Sequence, residues 1–351
     1  MLAAELEIQA FDPHAATDAA WMAVTAFRNA ITAERFPDDP PKSWEQTRAE
    51  LTSMPPFVDL HAWGVYPAGR AEIVASGVLV MLRTEENQHM AQFELSILPA
   101  WRRQGLGTRL LRQQAAVARA AGRRLLIGNT YGRVPAGAAF MQRIGATVGL
   151  ESHINQLDLA DLDRTLLAAW QAQALERAPG YQLGLWAGPY PEADLPAIVE
   201  MLKVTNTAPR GDLAMDDFLW TPEQLRQQEA ALAHEGTERW TLYVRAPETG
   251  ELAGFTSIFC ERSEPTIAHQ GFTAVWPQYR NIGLGRWLKA AMLDKILRER
   301  PAVRYIRTGN ADSNAPMLKI NHALGFKPYQ AEQVWQVGVD RVDQYLAERP
   351  A

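Results

Sequence analysis

One stretch of this chain is written twice, and the repetition limits the fold more than any other feature. The segment FELSILPAWRRQGLGTRLLRQQ (93–114) aligns without gaps to GFTAVWPQYRNIGLGRWLKAAM (271–292). Pro99 matches Pro277, Arg102 matches Arg280, Gly105 matches Gly283 and Gly107 matches Gly285, all at an offset of 178 residues. Leu106 and Leu110 likewise match Leu284 and Leu288. Upstream, residues 62–81 and 241–259 each read as strand, glycine-containing turn, strand. Downstream, each copy reads as a short apolar strand, a polar loop starting near Asn129 or Asn310, and a helix ending at Gly145 or Gly325. Glycine suits such an end because it takes positive φ without a Cβ clash. LEIQAF precedes a helical stretch from Asp18, and YQLGLW precedes one from Glu192.

A chain of 351 residues is too long for one ordinary core, and the repeat divides it near the middle. Between the copies, Leu162, Leu166, Leu167, Trp170 and Leu175 roughly hold helical spacing, and Pro179-Gly180 stops the helix. The expected organisation is an N-terminal domain over 1–160, a linker helix over 161–180 and a C-terminal domain over 181–351. Each domain is expected to be mixed α/β, a central sheet flanked by helices.

Apolar residues make up 47% of the chain, as in ordinary globular proteins. The formal net charge of −5 argues against nucleic acid as a partner, because a phosphate-binding surface shows as a basic excess. The single cysteine, Cys260, excludes an internal disulfide and a cysteine-rich metal site, and no metal is expected. Cys260 ends an apolar run and reads as a strand thiol rather than a nucleophile. The N-terminal stretch MLAAELEIQAFDPHAA lacks a basic start and an apolar core, so it does not read as a signal peptide. No run reaches the roughly 18 apolar residues of a membrane span. A cytoplasmic protein without membrane contact, monomeric or homodimeric, is expected.

Each copy has the order strand, Arg-x-x-Gly-x-Gly, helix: Arg102-Arg103-Gln104-Gly105-Leu106-Gly107-Thr108 and Arg280-Asn281-Ile282-Gly283-Leu284-Gly285-Arg286. Glycines let the backbone turn tightly and approach a ligand. Helices starting at Thr108 and Arg286 would aim free N–H groups and a positive dipole end at it, which makes a phosphate site. A single copy fits an unliganded turn equally well. A Walker loop needs Gly-Lys-Ser/Thr, which neither copy has. A dinucleotide fingerprint needs a third glycine where Leu110 and Leu288 stand.

With the downstream block Asn-x-x-Met-x-x-x-Asn-x-x-Leu-Gly-Phe (314–326), these loops resemble the GCN5-related N-acetyltransferase (GNAT) superfamily. The resemblance covers both halves and is similar to tandem bacterial members such as mycothiol synthases. It implies two GNAT-fold domains, each with a mixed, splayed sheet, and acetyl-CoA as cofactor. The pyrophosphate would sit on the N–H groups of 102–108 and 280–286. The pantetheine arm would follow Ile97-Leu98 and Ala274-Val275, where the next strand splays away. Asn129, Asn310 and Asn314 match polar positions near the cofactor, and Asn314 also suits a helix N-cap.

Acetyl transfer to an amine needs a neutral amine, a donor to the developing oxyanion and help for the leaving thiolate. The resemblance implies direct attack without an acyl-enzyme. Where the family often has a tyrosine near the leaving sulfur, this chain has Met141 and Asn321. Candidate bases are Glu94, on the strand entering the first loop, His269, near the matching second strand, and Glu229, in a helical stretch. Each also fits an ordinary surface or ion-pair role. The second copy keeps Asn310, Asn314, Asn321, Gly325 and Phe326, so chemistry is expected there. The expected function is acetyl transfer to a primary amine of a small molecule. Alternatives are a non-catalytic acyl-CoA sensor or scaffold and a protein N-acetyltransferase. The segment Thr205–Asp212, with Arg210 and Asp212, is expected to rim the second cleft.

Overall fold

The computed structural model describes residues 5–349; the first four residues of the N-terminal stretch discussed above, and the last two of the chain, lie outside them. The first half runs β1 (Leu6–Phe11), α1 (Asp18–Arg35), α2 (Trp44–Thr52), β2 (Val58–Pro67), β3 (Ala75–Leu82), β4 (Met90–Ile97), α3 (Leu106–Ala120), β5 (Leu125–Tyr131) and α4 (Pro135–Arg143). It is followed by β6 (Thr147–Asp158) and α5 (Arg164–Arg177). The second half repeats the plan: β7 (Gln182–Ala187), α6 (Leu195–Leu202), α7 (Pro222–Glu235), β8 (Thr237–Arg245), β9 (Leu252–Glu261), β10 (Ile267–Val275), α8 (Leu284–Glu299), β11 (Tyr305–Ala311) and α9 (Ala315–Ala323). The chain ends with β12 (Lys327–Gly338) and α10 (Val339–Ala347).

Local chemistry sets many of these boundaries. Thr17, Asp163 and Asn314 cap α1, α5 and α9 through side-chain oxygens, and Ser43 and Thr221 open α2 and α7 with capping boxes. Gly145 (φ +80°) and Gly325 (φ +92°) follow α4 and α9 in the left-handed region, as the sequence predicts. The helices after the glycine loops start at Leu106 and Leu284, two residues before the expected Thr108 and Arg286, because Gly105 and Gly283 themselves are the caps.

The chain forms two compact units, and their boundaries correct the contiguous division expected from the sequence. The first comprises residues up to Glu151, Arg210–Asp216, and the chain from Gln330 onward; the second comprises Ser152–Pro209 and Asp217–Tyr329. In the first unit the strand order is β1-β2-β3-β4-β5-β12, antiparallel except for β4–β5. In the second it is β7-β8-β9-β10-β11-β6, antiparallel except for β10–β11. Each unit thus takes its last strand from the other half of the sequence. The expected linker helix is α5, and it is part of the second unit: Leu167, Trp170 and Ala174 are buried in one cluster with Trp287, Leu288 and Ala291 of α8. In the first unit α10 does the same work, with Val342 and Tyr345 clustered with Leu111 and Ala115 of α3.

Both sheets fork. The parallel pairing of β4 with β5 spans residues 90–92 against 125–127, and that of β10 with β11 spans 267–269 against 305–307. Beyond these residues the strands part, which agrees with the expected splay. In β10 the register also shifts between Gln270 and Thr273, a bulge at the fork.

Candidate functional site

The two glycine loops share one backbone conformation. Gly105 (φ +80°) and Gly283 (φ +97°) are left-handed N-caps without a side-chain capping bond. The second residue of each loop, Arg103 (φ +64°) and Asn281 (φ +69°), is also left-handed although neither is glycine. Open space surrounds Gly105 and Gly283, so glycine is required there by conformation and not by crowding. Alternating left- and right-handed residues before a helix turn successive N–H groups to one side, which makes a cradle for an anion. The residues present therefore fit a pyrophosphate in both units.

The arginine that begins each loop acts as a strut. Arg102 Nε donates to Ile97 O (3.0 Å) and Arg280 Nε donates to Val275 O (2.8 Å), pinning each loop to the end of its strand. Their guanidinium ends differ. Arg102 forks onto both carboxylate oxygens of Glu34, which neutralises it. Arg280 donates to Thr207 Oγ1 (2.8 Å) and meets no carboxylate among the described residues, so its charge stays uncompensated beside the second loop.

In the first unit the expected cofactor residues Ile97, Arg102, Arg103, Gly105, Leu106, Gly107, Thr108 and Asn129 line one cleft of about 290 Å³. Glu34, Arg35, Ser96, Thr130, Phe140 and Met141 also line it. Leu98 is not among them: it packs beside Val24, Phe27 and Ile31. Gln104 returns to its own loop, donating to Ala100 O (3.2 Å). Strand register corrects one correspondence. Leu125 and Tyr305 hold matching places opposite Met90 and Ile267, so the counterpart of Asn310 is Thr130 and not Asn129. Asn129 Nδ2 instead donates to Glu332 Oε1 (2.9 Å).

In the second unit Ala274 and Val275 lie on β10 between the fork and the loop. Ile282 packs on the core, and the Arg286 guanidinium lies over the Trp170 ring at 5.3 Å, leaving these residues to serve the loop by their N–H groups. Asn314 Oδ1 accepts from Met317 N (3.4 Å) as the cap of α9. The Thr205–Asp212 expectation divides. Thr207 meets Arg280, but Asp212 joins the first unit, where its N–H donates to Gly149 O and its carbonyl accepts from Gln336 Nε2, both at 2.8 Å. Arg210 turns back to Met215 O (3.3 Å).

The four candidate catalytic residues fare differently. Glu229 is held in ion pairs: its Oε1 accepts from Tyr190 N (2.8 Å) and Arg239 (2.6 Å), and its Oε2 from Arg226 (2.6 Å). Burial pushes its carboxyl up, but these donors outweigh burial and hold it below the usual range, so it anchors α7 and is a weaker base than a free carboxylate. His269 is the last paired residue before the fork, yet its ring groups with the carboxylates of Glu261 and Glu264, ligand atoms within 4.8 Å of one another. Asn321 is fully buried, with both ends of its amide engaged: Oδ1 accepts from Lys289 Nζ and Nδ2 donates to Asn310 Oδ1, each at 2.7 Å. Glu94 pairs with Arg35 (2.7 Å) and accepts from Ser96 Oγ (2.9 Å), both cleft residues. Burial raises its carboxyl, but Arg35, the Ser96 hydroxyl and Arg28 together lower it further, and the result is an ionised group of reduced basicity. Cys260 is a partly buried strand residue whose thiol burial pushes up to about 11, consistent with the non-nucleophilic reading.

Lys289 is the residue that sequence reasoning missed. It is 1% exposed, on α8, with Nζ donating to Asn321 Oδ1 and to Gln270 Oε1 (3.2 Å). The signal was present in the repeat: at the 178-residue offset Lys289 stands opposite the buried Leu111.

Comparison with known proteins agrees with this geometry. The profile of the acetyltransferase (GNAT) family matches residues 24–145 and 195–326, once in each half. Over 260 residues the chain is 29% identical to a mycothiol acetyltransferase of Rhodococcus opacus (strain B4), covering 72% of this chain and 76% of that protein. It is 28% identical over 248 residues to the mycothiol acetyltransferase of Nocardia farcinica (strain IFM 10152), covering 68% and 72%. Among solved structures, a tandem GNAT protein from the clavulanic acid biosynthesis pathway superposes with a TM-score of 0.76 at 26% identity, covering 95% of this chain and 99% of that one. A GCN5-related N-acetyltransferase from Sphaerobacter thermophilus shares the fold with a TM-score of 0.66 at 14% identity. Two matching loops, two forked sheets and a family match in each half converge: the chain belongs to the acetyltransferase (GNAT) family, is a tandem member of it, and is an acyltransferase.

Proposed function

We propose that the chain transfers acetyl from acetyl-CoA to a primary amine of a small molecule by direct attack, with turnover in the second unit. The observation that carries this reading is the pair of left-handed glycine loops, each at the open end of a forked sheet. Bound acetyl-CoA supplies an activated thioester carbonyl. The loop N–H groups of 102–108 and 280–286 hold its pyrophosphate, and the strand residues Ile97 and Ala274-Val275 guide its arm toward the fork. In the second unit the uncompensated Arg280 adds attraction for the anion. Its polar group of Asn310, Asn321 and Lys289 stands where the first unit has Thr130, Met141 and Leu111. The amine sheds its proton to solvent on entering, since Glu229 is tied in ion pairs and His269 turns to Glu261 and Glu264.

A second reading has its own observation. Glu94, with half of its side chain exposed beside Arg35 and Ser96, would let the first cleft take up an amine. The test is release of CoA thiol from acetyl-CoA across a panel of amino sugars, amino acids and polyamines. Release with at least one amine is expected. Acetyl-CoA binding without release across the panel contradicts an enzyme and supports a sensor.

A further inference from the structure

The second unit buries an amine without a counter-ion. Gln270 Oε1 and Asn321 Oδ1 are the acceptors of Lys289 Nζ, and both amides are oriented by their own donations. Gln270 Nε2 donates to Thr256 Oγ1 (2.7 Å), and Asn321 Nδ2 donates to Asn310 Oδ1 (2.7 Å). Nζ has these two amide acceptors and lies 5.3 Å from the centre of the Phe326 ring, with no carboxylate partner among the described residues. Burial pushes this amine down to about 7. Such a group disfavours folding, because a charge taken from water unpaired is strongly destabilised. The fold does not require it, since Leu111 fills the same place in the first unit.

The residues it joins frame the fork. Gln270 is the first residue of β10 after its pairing with β11 ends, at the bulge. Asn310 lies near the end of β11, in the segment that has parted from β10. One amine therefore ties β10, through Gln270, to β11, through Asn321 and Asn310. From Val275, beside the glycine loop, back to Gln270 is roughly 16 Å of strand. The polar chain thus sits along the path from the loop to the fork.

We propose that Lys289 is a positioning residue for acyl transfer in the second unit, clamping β10 to β11 so that Asn310 is held at the end of the path that starts on the 280–286 loop. The inference rests on the reading that the second unit turns over. The test is kcat and KM of Lys289→Met, with acetyl-CoA and the panel amine that the unaltered enzyme uses fastest. The expected result is a fall in kcat of at least about tenfold, KM for acetyl-CoA changed less than about threefold, and a higher Tm. A purely structural lysine would not combine loss of rate with gain of stability. Should the single variant fail to fold, Lys289→Met with Asn321→Met copies the Leu and Met pair of the first unit and carries the same expectation. A folded variant with kcat within about twofold of the unaltered enzyme overturns the proposal alone. Turnover that survives Gly283→Asp, or no turnover by the unaltered enzyme, overturns the underlying reading and the proposal with it.

Discussion

In the first unit Leu111, Met141 and Trp335 pack in one apolar cluster, and Trp335 Nε1 donates to Thr130 Oγ1 (2.8 Å). In the second unit the same four places hold Lys289, Asn321, Asn155 and Asn310, joined by hydrogen bonds from Lys289 to Asn321, from Asn321 to Asn310 and from Asn155 to Asn310 (3.4 Å). The backbones correspond closely: each fork starts after a three-residue parallel pairing and each loop turns through the same left-handed residues. What the units share is therefore what the fold and an anion cradle require. What they do not share is a polar chain through Lys289 and Asn321, which Leu111 and Met141 replace without altering the fold. Satisfied buried polar networks specify position, and they are retained at the expense of stability.

The comparison can be broken first at the loops. Gly283→Asp forces a side chain into φ +97° and sets a negative charge on the cradle; turnover should fall by more than about a hundredfold. Calorimetry should then count one acetyl-CoA per chain where the unaltered protein binds two.

Next comes the core. Leu111→Lys places in the first unit the amine of the second without its amide partners, and should destabilise by about 3–5 kcal/mol in urea unfolding. A smaller loss would mean that the first unit already offers acceptors. Glu229→Gln should cost about 3 kcal/mol, because Arg239 is left buried without its charge partner, while kcat stays within about twofold. A large loss of kcat with unchanged stability would restore Glu229 as a base.

The pH dependence of stability sharpens the contrast. Burial pushes Lys289 down to about 7 in the folded chain, against about 10.4 for a lysine in an unfolded one. Between those values the unfolded chain binds a proton that the folded one does not, so this group makes stability rise with pH across that window and contributes no slope below it. The stability advantage of Lys289→Met should accordingly shrink between about pH 7 and pH 10. An advantage that stays constant over that range would show an ordinary lysine. Glu94→Gln is the smallest change: a half-exposed pair contributes about 1 kcal/mol, and turnover should move less than about twofold.

The loops were legible in the sequence because a left-handed turn before a helix demands glycine, and the repeat showed it twice. Arg103 was not, since nothing in an arginine announces positive φ; Asn281 gave only a weak sign, asparagine being enriched there without requiring it. The strand exchange was also hidden. β6 and β12 follow equivalent helices and form equivalent registers on β11 and β5, so their local patterns are alike and only tertiary pairing decides which sheet each completes. Candidate bases were chosen by residue type and position along strands, but the direction of the His269 ring and the ion pairs of Glu229 depend on residues far away in sequence. Lys289 escaped because a lysine on a helix reads as solvated; its burial follows only when the helices of the two copies are laid over one another.

The central claim is that two like cradles serve unlike units, with turnover in the second. It is tested most directly by measuring CoA thiol release, at saturating acetyl-CoA and with the best amine of the panel, for Gly105→Asp and Gly283→Asp side by side. Loss of turnover in Gly283→Asp with Gly105→Asp within about threefold of the unaltered enzyme is the predicted result. Loss in Gly105→Asp alone would contradict it and move the chemistry to the cleft that Glu94 and Arg35 border.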